Sequence, residues 1–231
     1  MIFPLTIQPD IWLGQIRISE PIIALTGLMI GAVCLYAVRR IARTTADSRV
    51  VRFIRAFLLL MMFSTLTGAF IGHAFLYALD FAWKLPSWML SLASVAALER
   101  AAILHARPML RPFWSRFFLW WNTLNFVVFA VILFQTLNFH VVEAHAVVSL
   151  LLVTGGMELF VWIKKRDRGS LFLLANIGIA VVAVSFHLLH FSFCRWFTYF
   201  DIGHIVLCFG MWTVMRGAET LKIYEREQLM L

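Results

Sequence analysis

Charge is what this sequence has least of. Asp, Glu, Lys and Arg together make up 14% of its 231 residues, against roughly 25% in an ordinary soluble domain. Hydrophobic residues stand at 62%, which leaves too little polar surface to clothe a water-soluble fold. Cysteine is scarce as well. Cys34, Cys194 and Cys208 are an odd number at spacings that match no zinc ribbon or redox pair, so no disulfide framework is implied. Low-complexity tracts and obvious repeats are absent. The opening MIFPLTIQPDIW lacks a basic n-region and a small-residue cleavage site, so no cleavable signal peptide is expected and the first apolar segment must insert the chain.

What the sequence has in abundance is apolar runs of about 20 residues, enough to cross a hydrocarbon core of about 30 Å. They predict an all-α fold, a seven-transmembrane helix bundle in a single domain over residues 1–231, with spans at about 21–38, 53–79, 87–104, 113–134, 141–163, 171–193 and 202–215. Pro21, Pro86, Pro108 and Pro112 fall at span ends, which disfavours a transporter built on helices broken at the membrane midplane. Lys and Arg collect in cytoplasmic loops. Of the 20 basic residues, Arg17, Lys84 and Arg195 stand on one side and the other 17 on the opposite side. The N-terminus is therefore predicted outside and the C-terminus in the cytoplasm, in a cell inner or plasma membrane. The same bookkeeping accounts for the +8 net charge as topology and lipid-headgroup attraction rather than nucleic-acid binding.

Ionisable side chains inside a bilayer cost several kcal/mol unless paired or hydrated, so their positions carry information. Six of the 7 histidines map to the outer half, and only His105 is cytoplasmic. Asp80 follows His73 by two helical turns, His187/His190 and Asp201/His204 are i,i+3 pairs, and Glu20 opens span one. If spans two, six and seven are neighbours, each can offer an imidazole to one point roughly 5 to 10 Å below the outer surface. A metal site needs imidazoles oriented by carboxylates in this way, although no H-E-x-x-H motif is present. Other polar residues have plainer readings. His140 and His145 read as interfacial, Glu99, Arg100 and Glu158 as structural ion pairs or snorkelling side chains, and Thr26, Asn122 and Asn125 as interhelical hydrogen-bonding residues. Trp83, Trp88, Trp196 and Tyr199 read as an interfacial belt.

Three segments carry a resemblance. G-A-F-I-G-H-A-F-L-Y-A-L-D at 68–80, F-D-I-G-H-I-V-L-C-F-G at 200–210 and I-S-E-P-I-I-A-L-T at 18–26 resemble stretches of the seven-helix membrane hydrolases that include alkaline ceramidases and the adiponectin-receptor (progestin/adipoQ receptor) group. The resemblance implies a zinc ion near the end of the bundle that carries the N-terminus, held by a span-two histidine, here His73, and by two span-seven histidines in the pattern His-x-x-x-His. His204 stands in the place of the second. Phe200 stands in the place of the first, and Ala69 where the family has a serine.

The function expected on this basis is a zinc-dependent hydrolase of a lipid amide or ester, embedded in the membrane with its site near the outer face. His73 and His204 would hold zinc, with Asp201, His187 or His190 as third ligand. Asp80 would act as general base and Tyr77 as a donor to the developing oxyanion, with Glu20 nearby. Two other classes stay open. A haem electron-transfer protein would need two histidines opposed across a gap and no acidic partners, and a non-catalytic lipid-binding or receptor-like scaffold would account for Phe200 and Ala69. The partner in the leading reading is a membrane lipid, not nucleic acid. The oligomeric state is not fixed by the sequence.

Overall fold

A computed structural model describes residues 8–224. The residues MIFPLTI, which begin the segment read as lacking a signal peptide, lie outside the described residues, as does Arg226. A short antiparallel hairpin, β1 (Ile11–Leu13) and β2 (Ile16–Ile18), precedes the helices. Its two-residue turn places Gly14 at φ 64°, a left-handed conformation that glycine adopts without steric cost.

Seven long helices follow among the described residues: α1 Pro21–Thr44, α2 Arg49–Ala74, α3 Leu85–Ala106, α4 Pro112–Thr136, α5 Phe139–Lys165, α6 Arg168–Leu189 and α7 Tyr199–Thr220. Their starts follow local chemistry. Proline in the first turn of α1, α3 and α4 has no N–H to leave unsatisfied. Ser48, Asn138 and Asp167 accept a backbone N–H at the starts of α2, α5 and α6. Six helical stretches, including all of α1 to α6, are long and apolar enough to cross a membrane. Helix α7, which carries Asp201, His204 and Arg216, is not among the six.

The order of packing is α6, α7, α1, α2, α3, α5, with α5 returning to α6 and α4 applied to the flank of α3 and α5. A shared apolar core joins α1, α2, α3, α6 and α7 through Ile30, Ile54, Leu58, Leu98, Leu173 and Val214. Close approach comes from small residues: a Cβ on Gly27 of α1 would lie 3.3 Å from the Ala69 Cβ of α2. Large apolar side chains such as Trp120, Phe134 and Leu189 face outward, as on a lipid-facing surface.

Four helices depart from their predicted limits: α1 runs on to Thr44 instead of ending near 38, α6 ends at Leu189 instead of near 193, and the other two change at the site. Span two was expected to run to Leu79, but α2 ends at Ala74. Its last stretch, Gly68–Ala74, is wound as π-helix, and Phe75 then leaves helical geometry at φ −121° and ψ 11°. Helix α7 starts at Tyr199 and reaches Thr220, longer than the expected 202–215, because Thr198 and Asp201 form a capping box that fixes its start.

Beyond α7 the chain folds back as a strap. Asp167 accepts hydrogen bonds from the Lys222 N–H and the Tyr224 hydroxyl, both at 3.0 Å. The His105 ring stacks on Tyr224. Buried Glu158 lies 3.1 Å from His105 Nδ1 and accepts from Ser170 at 2.6 Å. Glu158, read from the sequence as a structural ion pair or a snorkelling side chain, is thus paired with His105.

Candidate functional site at the hairpin end of the bundle

Helices α1, α2 and α7 bring together residues from both ends of the sequence. Glu20 precedes α1 in a left-handed conformation, φ 46°, which costs a non-glycine residue about 1 to 3 kcal/mol. The strained backbone sends its carboxylate to His73 in the π-helical end of α2, with Oε2 2.7 Å from Nδ1. Glu20 therefore does not cap α1. That task falls to Gln8, a buried side chain whose Oε1 accepts from the Ile22 and Ile23 N–H groups at 3.0 and 3.2 Å, two of the donors a helix start leaves free.

The Gln8 amide nitrogen donates to Asp201 Oδ2 at 2.7 Å and to the Trp196 carbonyl at 3.0 Å. Asp201 is fully buried. The same Oδ2 accepts from the Thr198 N–H and hydroxyl at 2.6 and 2.8 Å, and Thr26 Oγ1 stands 3.4 Å from Oδ1. Thr26 also lies 2.9 Å from His204 Nδ1.

These partners dictate the tautomers. A carboxylate can only accept, so His73 carries its proton on Nδ1. The Thr26 hydroxyl proton goes to the Ile22 or Ile23 carbonyl, 3.0 and 3.1 Å away, so His204 also donates from Nδ1. Each imidazole, when neutral, then presents a free lone pair on Nε2. The two rings are close enough to repel one another when charged.

Beside them opens a cleft of about 470 Å³ lined by Asp10, Arg17, Glu20, His73, Tyr77, Lys84 and Arg195, among others. Arg17 bridges to Asp10 at 2.6 Å and lies over the Tyr77 ring. Lys84 faces Glu20. Arg195 has no acidic partner within 4 Å among the described residues. Over residues 22–223 the chain matches the model of DUF6962, a family of unknown function. The chain belongs to that family. No curated protein and no solved structure matches it.

The other residues singled out in the sequence lie elsewhere. Phe200 fills the space where a third imidazole was sought, its ring centroid 6.3 Å from that of His73 on one side and 5.1 Å from that of His187 on the other. His187 points to Glu143, 3.3 Å away, and His190 ends α6 and packs on Tyr199. Tyr199 is buried beneath these rings rather than placed in an interfacial belt.

Because α2 stops early, Asp80 is not two turns along it from His73. It caps the short turn Phe81–Lys84 by accepting from the Ala82 N–H at 2.8 Å, and it is exposed. Tyr77 lines the cleft but is engaged with Arg17. Thr26, Asn122 and Asn125 do make interhelical contacts, to His204, to the Ala96 carbonyl and to Ser149 respectively. Gln8 and the hairpin were not singled out from the sequence. The pattern I-W-L-G-Q-I-R-I, with Gly-Gln between two short apolar-rich runs, is a hairpin signal, whereas nothing in the sequence marks Gln8.

A catalytic zinc requires three protein ligands. Among the described residues, no group of three His, Cys, Asp or Glu side chains is placed to hold a metal ion. His73 and His204 supply two donors, Oδ2 of Asp201 is committed to Gln8 and to capping α7, and Phe200 supplies a hydrocarbon ring. The donor set fits two of the three positions that a catalytic zinc needs.

Proposed function

We propose that this chain is an integral membrane protein crossing the bilayer seven times, N-terminus outside and C-terminus in the cytoplasm, which binds the anionic head of an amphiphile in its outer cleft. Counting α7 as a span keeps the three basic loops and the basic segment at the end of α7 on one side. The observation that carries the reading is the fate of the three basic residues left over. Arg17, Lys84 and Arg195 come from the hairpin, the α2–α3 connection and the α6–α7 connection, and all three line one cleft. Basic residues outside serve no topological purpose, and three that converge from distant parts of the chain form an anion site. Two acids, Asp10 and Glu20, offset part of the charge, and Arg195 is left to meet a phosphate, sulfate or carboxylate.

Native mass spectrometry of the full chain in nanodiscs tests this with phosphatidylglycerol and phosphatidylcholine as probes. Phosphatidylglycerol should be retained preferentially, and Arg195→Ala with Lys84→Ala should abolish the preference, whereas Arg107→Ala, at the opposite end, should leave it intact. Equal retention of both lipids by the wild type would refute the reading.

The His73–His204 pair favours a second reading, the zinc-dependent hydrolase of a lipid amide or ester. Both rings are held at Nδ1 with Nε2 free, as imidazole ligands are in metalloenzymes. Metal analysis of the detergent-purified protein decides it: about one zinc per chain, lost in His73→Ala and in His204→Ala but kept in His140→Ala, would support hydrolysis. No metal would leave the binding reading alone.

A further inference from the structure

A second polar group lies inside the bundle, away from the outer cleft. Glu99 of α3 is fully buried, and neither carboxyl oxygen has a hydrogen-bond partner among the described residues. The polar side chains facing it are Asn122 and Asn125 of α4 and Ser149 of α5. Glu99, read as a structural ion pair or a snorkelling side chain, forms no ion pair among the described residues. Arg100 turns to α4 instead, donating to the Leu119 carbonyl at 3.0 Å and to Asn122 Oδ1 at 3.1 Å.

Beyond Ser149 stands His145, also fully buried, with Nδ1 unpartnered and Nε2 3.3 Å from Ser149 Oγ. Ser149 Oγ accepts from the Asn125 amide at 2.9 Å. Its one proton is therefore free to point to His145, and the hydroxyl also faces the Glu99 carboxyl. The turn holding Ser149 is itself irregular: Val147–Thr154 is π-helical, and Thr154 donates to the Ser149 carbonyl at 2.7 Å. Such insertions recur at functional sites, and the other one among the described residues carries His73.

Ser149 is about 15 Å along α5 from its outer end, within the hydrocarbon depth. An unpartnered carboxylate there would cost several kcal/mol, so Glu99 holds a proton at rest. We propose that Glu99 and His145 form a proton-binding site in the bundle interior, with Ser149 passing the proton between them. Glu99 donates its proton to Ser149 Oγ as the Ser149 hydroxyl donates its own to His145 Nε2. The O–H bonds broken at Glu99 and Ser149 are replaced by an O–H at Ser149 and an N–H at His145. The products are a carboxylate and an imidazolium with no net change in charge.

Arg100 is the charged group facing Glu99, and it favours the carboxylate product. Helix α4 presents only amides to Glu99, α5 presents Ser149, and α2 presents no charged group. At the outer end of α5, Glu143 pairs with His140 and His187.

Infrared difference spectroscopy of the full chain in nanodiscs, stepped in pH, is the test. A carbonyl stretch of a buried protonated carboxyl should be present in the wild type, disappear in Glu99→Gln, and titrate about one pH unit or more away from the wild-type midpoint in His145→Gln. Ser149→Ala, an isosteric change expected to fold, should keep the band but slow its hydrogen–deuterium exchange. A band unaffected by Glu99→Gln, or a folded Ser149→Ala with unchanged exchange, would overturn the proposal.

Discussion

Gln8 does more than any other single side chain to assemble the outer site, because it satisfies two free donors at the start of α1 while fixing Asp201 of α7. Gln8→Ala removes one donor from a buried carboxylate and strands two backbone N–H groups, and should lower stability by about 1 to 3 kcal/mol, read as thermal unfolding in detergent. A second residue, Phe200, decides the metal question by its chemistry rather than its place. Its ring already lies between His73 and His187, so Phe200→His supplies the missing donor without a longer reach. If the wild type binds no zinc, this substitution should confer about one zinc per chain by elemental analysis, and its failure to do so would show that the two histidines are not set for a shared ion. His73, His204, Glu20 and Asp201 were legible from the sequence because a charged residue inside an apolar run stands out. The Asp80 assignment failed for a local reason, since periodicity cannot foresee that a π-wound helix end will break at Phe75.

At the scale of elements, the helices were legible and their ends were not. Apolar runs reveal a span, but where it stops depends on partners such as the Thr198–Asp201 box, whose signature is short, and on the strap after α7. That strap depends on close contact: a Cβ on Gly169 at the start of α6 would lie 2.4 Å from the Leu221 Cα. Gly169→Ala should therefore detach the strap or cost about 1 to 3 kcal/mol in overpacking, seen as faster proteolysis after residue 220. Tyr224 offers a pH reading of the same element. Burial, followed by the negative charge of Asp167, pushes its phenol up to about 12 from an ordinary value near 10. A raised acid favours its neutral form in the folded state, so the strap's contribution is complete below about pH 10 and is lost as pH rises through about 12. The ultraviolet phenolate titration of wild type minus Tyr224→Phe should show that late component. A Tyr224 titrating near 10 would mean the strap is not docked.

The whole molecule separates its polar chemistry into layers, an outer cleft, an interior carboxyl and a docked strap, along helices whose remaining surface is apolar. The layers were partly readable, since the count of basic residues on each side was available from the start. Their convergence was not, because Arg17, Lys84 and Arg195 are far apart in sequence and meet only through the packing of the hairpin against the ends of α1 and α2 and the tie of Gln8 to Asp201 of α7. The account rests on that cleft facing outward. Cys194, exposed beside Arg195, is a native reporter of it, while Cys34 is buried. An impermeant thiol reagent applied to intact cells should label the wild-type chain and not Cys194→Ser, and Lys165→Cys in the Cys194→Ser background should label only after permeabilisation. Labelling at Lys165→Cys in intact cells, with Cys194 protected, would contradict the orientation and the outward-facing anion site together.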